Sequence, residues 1–226
     1  MTEATRPRVS VGVPVRNGGR YLRRALSSIL TQEYHDLEVV ISDNASSDAT
    51  SDICLEFARR DGRVRYYRNH ENIGAARNYN RVFKLSRGEL FKWTAHDDWC
   101  DRTFLTRCVE ALDAESSAVL CYSGVIFTDE SGRVVHYGSW ARITTEHGPQ
   151  PLADLSSPDH RRRHHALQWS CGGPAPFVFG LMRAETLART GLVRNVPEPD
   201  RVLIGELCLV AFSAPFGVKV LVFGPR

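Results

Sequence analysis

Valine recurs at every second position from Val9 to Val15, the two-residue period of a strand. Pro14 interrupts that period, so the reading ends the strand there or places it at a sheet edge. Leu22, Leu26, Ile29 and Leu30 then repeat at helical spacing and predict a helix over 21–32. The run 37–41 is almost continuously apolar, as expected of a strand buried on both faces. Ser46, Ser47 and Asp48 suit a helix N-cap, and Ile53 and Phe57 carry a second helix to Arg60 before Gly62. The same reading gives a strand at 64–67, a helix at 75–85, a strand at 90–94, a helix at 104–112 and a strand at 118–122.

Strands alternating with helices of 10–15 residues predict an α/β fold with a mostly parallel central sheet and helices on both faces. Right-handed crossovers gather every strand-to-helix loop at one edge. Open α/β sheets bind their ligands at that edge. Beyond 122 the alternation fades. Segments 125–128 and 133–136 read as a hairpin around Asp129, and 138–176 is loop-rich with a basic run at 161–165. An apolar stretch at 177–182, helices at 184–190 and 200–212, and a final strand complete the pattern. The chain reads as a single domain over 1–226: a regular half (1–122) and an irregular half (123–226).

Composition narrows the function classes. With 42% hydrophobic residues over 226 positions the chain is globular, and a net charge of +3 makes no electrostatic case for nucleic acid. The longest apolar stretch, 202–224, is broken by Glu206 and Lys219 and suits a core helix and strand better than a membrane span. Residues 1–8 are polar and charged, so no secretory signal is expected. Six scattered cysteines without a C-x-x-C pair read as reduced thiols of a cytoplasmic protein.

Three loops at the binding edge carry distinctive chemistry. They are Pro14-Val15-Arg16-Asn17-Gly18-Gly19, Asp43-Asn44-Ala45-Ser46-Ser47-Asp48, and Ala95-His96-Asp97-Asp98. Together they offer an Arg, an Asn, a helix N-terminus and paired carboxylates, which suit a nucleoside diphosphate with a divalent cation. Adjacent carboxylates such as Asp97 and Asp98 repel each other unless a cation lies between them. Asp48 reads first as a helix cap, His96 as a packing residue and the 161–165 run as a solvated loop. No G-x-G-x-x-G follows the first strand and no G-x-x-x-x-G-K-[ST] occurs, so neither a dinucleotide fingerprint nor a P-loop is present.

These loops resemble the family 2 glycosyltransferases of the GT-A fold. The resemblance rests on 9–17 with 21–32, on 37–50, on Asn72-Ile73-Gly74-Ala75-Ala76-Arg77-Asn78, and on Gly88-Glu89-Leu90 through to Asp97-Asp98. It returns more loosely at 179–183 and 200–203. It implies a transferase that moves a sugar, with inversion, from a nucleotide-diphosphate sugar to an acceptor hydroxyl on a saccharide, a lipid-linked saccharide or a small molecule. It also implies that Pro14, Val15, Arg16, Asn17, Asp43, Asn44, Arg77 and Asp97 bind the nucleotide sugar, and that Asp97 and Asp98 hold Mg2+ or Mn2+. Asp200 takes the place of the family's catalytic base, although it would equally cap its own helix, and Glu198 lies close enough to compete. Two departures stand out: Ala95 sits where the family's first metal-motif Asp is expected, and 212–226 matches nothing anticipated. A non-catalytic or degenerate nucleotide-sugar binder therefore stays open. So does contact with the inner face of a membrane, were the acceptor lipid-linked. A sugar-phosphate nucleotidyltransferase fits poorly, because no Lys precedes Lys84.

Overall fold

A computed structural model describes residues 6–123, 125–128, 133–138, 143–145, 148–150, 176–197, 199–210 and 219–223. The regular half runs β1 (Val9–Val15), α1 (Leu22–Leu30), β2 (Leu37–Asp43), α2 (Thr50–Arg60), β3 (Val64–Arg68), α3 (Ala75–Leu85), β4 (Leu90–Trp93), α4 (Phe104–Ala114) and β5 (Ala118–Ser123). After it come β6 (Val125–Thr128), β7 (Val134–Gly138), β8 (Ile143–Thr145) and β9 (Gly148–Gln150). A 3-10 turn (Pro176–Phe179), β10 (Leu181–Arg183), α5 (Ala184–Ala188), α6 (Pro199–Val210) and β11 (Lys219–Phe223) follow. β6 and β7 form the expected hairpin, whose turn lies outside the described residues.

One seven-stranded sheet carries the fold, in the order β11-β5-β10-β4-β1-β2-β3. Only β10 runs against the others, pairing antiparallel with both β4 and β5. The two halves therefore share one sheet, because β10 and β11 belong to the second.

The two-residue period sorts side chains onto two cores. Val9, Val11, Val13, Val15, Leu37, Val39 and Ile41 pack under α1, α2 and α4 with Leu22, Leu26, Ile29, Ile53, Leu105 and Leu112. Val40, Phe91, Trp93, Leu120 and Met182 pack on the other face with Val82, Leu187, Leu203 and Leu207. Gly12 is required there: a Cβ would lie 2.8 Å from both Phe91 and Val82, so it lets α3 sit close on β1.

Pro14 corrects the edge-strand expectation, because β1 is central and continues to Val15. The Gly12 carbonyl accepts from Thr94 N on the β4 side, and the Val15 carbonyl accepts from Asn44 N on the β2 side. Alternation thus turns Pro14 toward β4, beyond the last pair, Gly12 with Trp93, where no ladder bond is needed. The second strand also outruns its apolar core by two residues, which brings Asp43 into β2 beside Val15.

Within that strand Glu38 is a buried charge. Its carboxylate accepts from Ser10 Oγ (2.7 Å), Arg87 N (2.7 Å), Arg65 Nη1 (2.8 Å) and Arg87 Nε (3.0 Å). Burial by itself would raise its pKa, but the bonds from Ser10, Arg65 and Arg87 outweigh it and leave the group below the usual carboxylate range. The folded pKa lies below the unfolded one, so this stabilisation is complete at neutral pH and is lost as pH falls through the depressed value. Glu38→Gln is expected to cost about 2–3 kcal/mol at pH 7 in urea denaturation. The deficit should shrink on acidification.

Candidate functional site

The loops after β1 and β2 are joined by hydrogen bonds. Asn17 N donates to Ser46 Oγ and Ser47 N donates to Asn17 Oδ1, each at 2.9 Å. Gly18 N reaches Thr50 Oγ1 and Gly19 N reaches Asp48 Oδ2, again at 2.9 Å. Asp48 also accepts from Thr50 N at 3.0 Å, so it bridges two loops as well as serving α2. Asn17 and Ala45 adopt left-handed backbone (φ 53° and 56°). Asn tolerates this well, whereas Ala45 carries about 1 kcal/mol of strain. A Cβ on Gly18 would lie 2.6 Å from the His96 ring, so the first loop also packs on the third.

Asp43 ends β2 fully buried. Its Oδ1 accepts from Ser46 N (2.8 Å), and its Oδ2 accepts from Tyr66 OH (2.9 Å) and Ser51 Oγ (3.1 Å), with Arg68 Nε at 3.9 Å. One lone pair of Oδ1 remains for a further donor. Asn44 is spent on its surroundings: Oδ1 accepts from Ile73 N (2.9 Å) and Asn69 Nδ2 (3.0 Å), while Nδ2 donates to Asn72 Oδ1 (2.7 Å). It anchors the segment that leads into α3 and Arg77. Ser51, Tyr66, Arg68 and Asn69 went unnoticed in the sequence. Strand period was the available signal for two of them, since Tyr66 and Arg68 pair with Ile41 and Asp43.

The acid pair follows β4 in a turn closed by Asp98 N donating to the Ala95 carbonyl (3.3 Å). Both carboxylates are exposed. Although the Asp98 side chain stays open to solvent, protein crowded around its carboxyl partly desolvates it. That effect, then the Asp97 charge, raises its pKa against the pull of Lys92 and His96. Tyr79 on α3 senses the same pair: burial first, then the charges of Asp97 and Asp98, push its phenol up. Trp99, next in the chain, is 39% exposed, with the Arg24 guanidinium 3.3 Å from its ring centroid. Thr94 Oγ1, just before the pair, is buried without a hydrogen-bond partner.

β1, β2 and β4 are parallel, so the segments after them meet at the carboxyl edge of the sheet. Pro14, Val15, Asp43 and Asn44 are buried there, while Arg16, Asn17, Arg77, Asp97 and Asp98 are exposed at the same edge. Asp200 falls in the first turn of α6, and its side chain lies outside the described residues, as do Asp129 and the 161–165 run. A cavity of about 530 Å³ opens at the opposite edge among Arg6, Lys84, Arg87, Glu89 and Arg183, away from this chemistry. Among the described residues no three His, Cys, Asp or Glu side chains converge as a metal cage.

Comparison with known proteins places this arrangement. The chain is 30% identical over 132 residues to an uncharacterized glycosyltransferase of Rickettsia typhi (58% of this chain, 40% of that protein). It is 35% identical over 98 residues to the glycosyltransferase GlyA of Streptococcus pneumoniae (43% and 14%). It thus spans well under two thirds of the length of these relatives. In fold it is similar to the Pyrobaculum calidifontis mannosyltransferase PcManGT, solved with GDP-Man and Mn2+ (TM-score 0.63, 21% identity, 97% of this chain and 57% of that one). It is also similar to S. aureus TarS 1–349, solved with UDP-GlcNAc (TM-score 0.68, 18% identity, 97% and 59%). The fold is thus of the GT-A type. Residues 10–184 match the profile described as Glycosyl transferase family 2, and the chain belongs to that family.

Proposed function

We propose that this chain is the donor-binding and catalytic part of a glycosyltransferase that moves a sugar from a nucleotide-diphosphate sugar to an acceptor hydroxyl. One observation carries the reading: an exposed carboxylate pair stands at the same sheet edge as the buried Asp43 and the interlocked loops of Asn17 and Ser46. The nucleotide-sugar ligands of PcManGT and TarS support it. In this reading Pro14, Val15, Arg16, Asn17 and Asp43 receive base and ribose, Asp43 through its remaining lone pair. Asn44 holds the 69–74 segment in place, and Arg77 faces the diphosphate from the first turn of α3.

The acid pair fits a divalent cation. Two adjacent carboxylates, the second raised in pKa first by desolvation and then by its neighbour's charge, would have their repulsion relieved by a shared cation. Asp97 and Asp98 would hold Mg2+ or Mn2+, and the ion supplies Lewis-acid stabilisation of the charge on the departing diphosphate. The acceptor oxygen attacks the anomeric carbon from the opposite face, and the bond to the diphosphate oxygen breaks. The hydroxyl proton passes to the Asp200 carboxylate, and the anomeric configuration inverts. Ala95, which leaves the carboxylate set short, favours the alternative of a nucleotide-sugar binder without turnover.

A cytoplasmic setting belongs to the same reading. It rests on the scatter of the six cysteines along the sequence; among the described residues Cys54, Cys100, Cys108 and Cys121 are free thiols. Among the described residues no helix is long and apolar enough to cross a membrane.

The reading is tested by thermal unfolding with UDP, GDP, TDP or CDP, with and without Mn2+. One base, together with the ion, should raise Tm by about 5 °C or more at 100 times its Kd, and no shift with any base would overturn it. Asp98→Asn should abolish the Mn2+-dependent increment. Without ligand it should be at least as stable as wild type, because a carboxyl whose folded pKa is raised loses stability as pH rises through that value. Asp200→Asn should slow transfer at least about 100-fold and leave nucleotide affinity within about threefold. Unchanged turnover would remove Asp200 from the role of base.

A further inference from the structure

Lys92 is a buried cation that the catalytic reading does not use. It lies in the middle of β4, 4% exposed, in a sheet whose other core positions are mostly apolar. An ammonium is stable there only if its donors are satisfied and its charge is answered. Its Nζ donates to the carbonyl of Phe179, the last residue of the 3-10 turn. It also stands 4.8 Å from the ring centroid of Phe104, at the start of α4. Lys92, Cys100 and Leu105 line the same small internal space. Its partners thus come from two separate places: the segment just after Asp97 and Asp98, and the 3-10 turn that precedes β10.

The two sides are anchored in different ways. The segment after the acid pair has other supports: Cys100 N donates to Ser28 Oγ (3.3 Å), Gln32 Nε2 donates to the Asp101 carbonyl (2.6 Å), and Leu105 N donates to Gln32 Oε1 (3.0 Å). Arg24 covers Trp99 in addition. The 3-10 turn packs on β4, β5 and α6, with Val178 in the apolar cluster there, and leads directly into β10 between β4 and β5. Dispersion contacts of that kind fix distance but direct orientation weakly. The charge-assisted bond to the Phe179 carbonyl is directional.

We propose that Lys92 is a positioning residue that ties the acid-pair segment to the 3-10 turn seating α6, and so fixes the acceptor-side helix relative to the donor-side carboxylates. The proposal rests on the functional reading above only in taking Asp97–Asp98 as donor-side and α6 as acceptor-side. Ligand occupancy at the carboxylates is then felt at the turn through the Lys92 side chain. Lys92→Met keeps the stem and its packing but loses the donor, whereas Lys92→Arg keeps a charged donor.

Amide hydrogen exchange tests this with the nucleoside diphosphate selected by the thermal screen, plus Mn2+. In wild type, ligand should slow exchange at least threefold in 90–105 and in 176–190. In Lys92→Met the first segment should still be slowed and the second should not. Lys92→Arg should restore both. If Lys92→Met does not fold, Lys92→Ser replaces it, too short to reach Phe179 but leaving room for water. The proposal is overturned if the neutral variant keeps ligand-induced slowing in 176–190, if it loses nucleotide binding altogether, or if wild type binds nucleotide with no slowing in that segment. A wild type that binds no nucleotide overturns the functional reading instead.

Discussion

The carboxyl edge of this sheet is built around polar groups that are buried before any ligand arrives. Asp43, Asn44, Ser42 and Asn78 are all buried, and each is answered by a neighbour of fixed geometry. Leaving any of them unmatched would cost roughly 1–3 kcal/mol, more for the carboxylate. The loops therefore have little freedom to be elsewhere. Their mutual satisfaction sets the shape of the edge, and the exposed groups Arg16, Arg77, Asp97 and Asp98 are presented on that frame.

The division of labour between buried and exposed acids follows from this. Asp43 sits among hydroxyl and backbone donors, with Arg68 at the margin of reach. Asp97 and Asp98 have each other, and the nearby cations only partly compensate. One acid is a finished structural group with a single open lone pair. The other two stand exposed as a pair of like charges that the nearby cations do not fully offset.

Much of this was legible in the chain. α3 spans the expected 75–85, and β4, α4 and β5 differ from expectation by one or two residues at their ends, where fraying makes boundaries soft. The family resemblance pointed to the loops after β1, β2 and β4, which the parallel strands gather at one edge of the sheet. What stayed hidden was of two kinds. Glu38 and Lys92 lie inside strands that read as apolar, and no periodic pattern announces a buried charge, whose partners (Ser10, Arg65, Arg87, Phe179) are distant in sequence. The tertiary anchors of Asp43 and Asn44 depend on register between strands. Pro14 was misjudged for a related reason: its cost depends on which neighbour its missing N–H would have faced.

β10 has a consequence for how the chain comes together. This three-residue strand wedges between β4 and β5 and is the only link between them in the sheet. β5 is complete at Ser123, yet it cannot join β4 until Leu181–Arg183 has emerged from the ribosome and folded back. Until then β4 exposes an open strand edge, the kind of surface that recruits other chains. During synthesis β1 to β4 therefore pass through a vulnerable interval. Its length is set by the number of residues that separate Ser123 from Leu181.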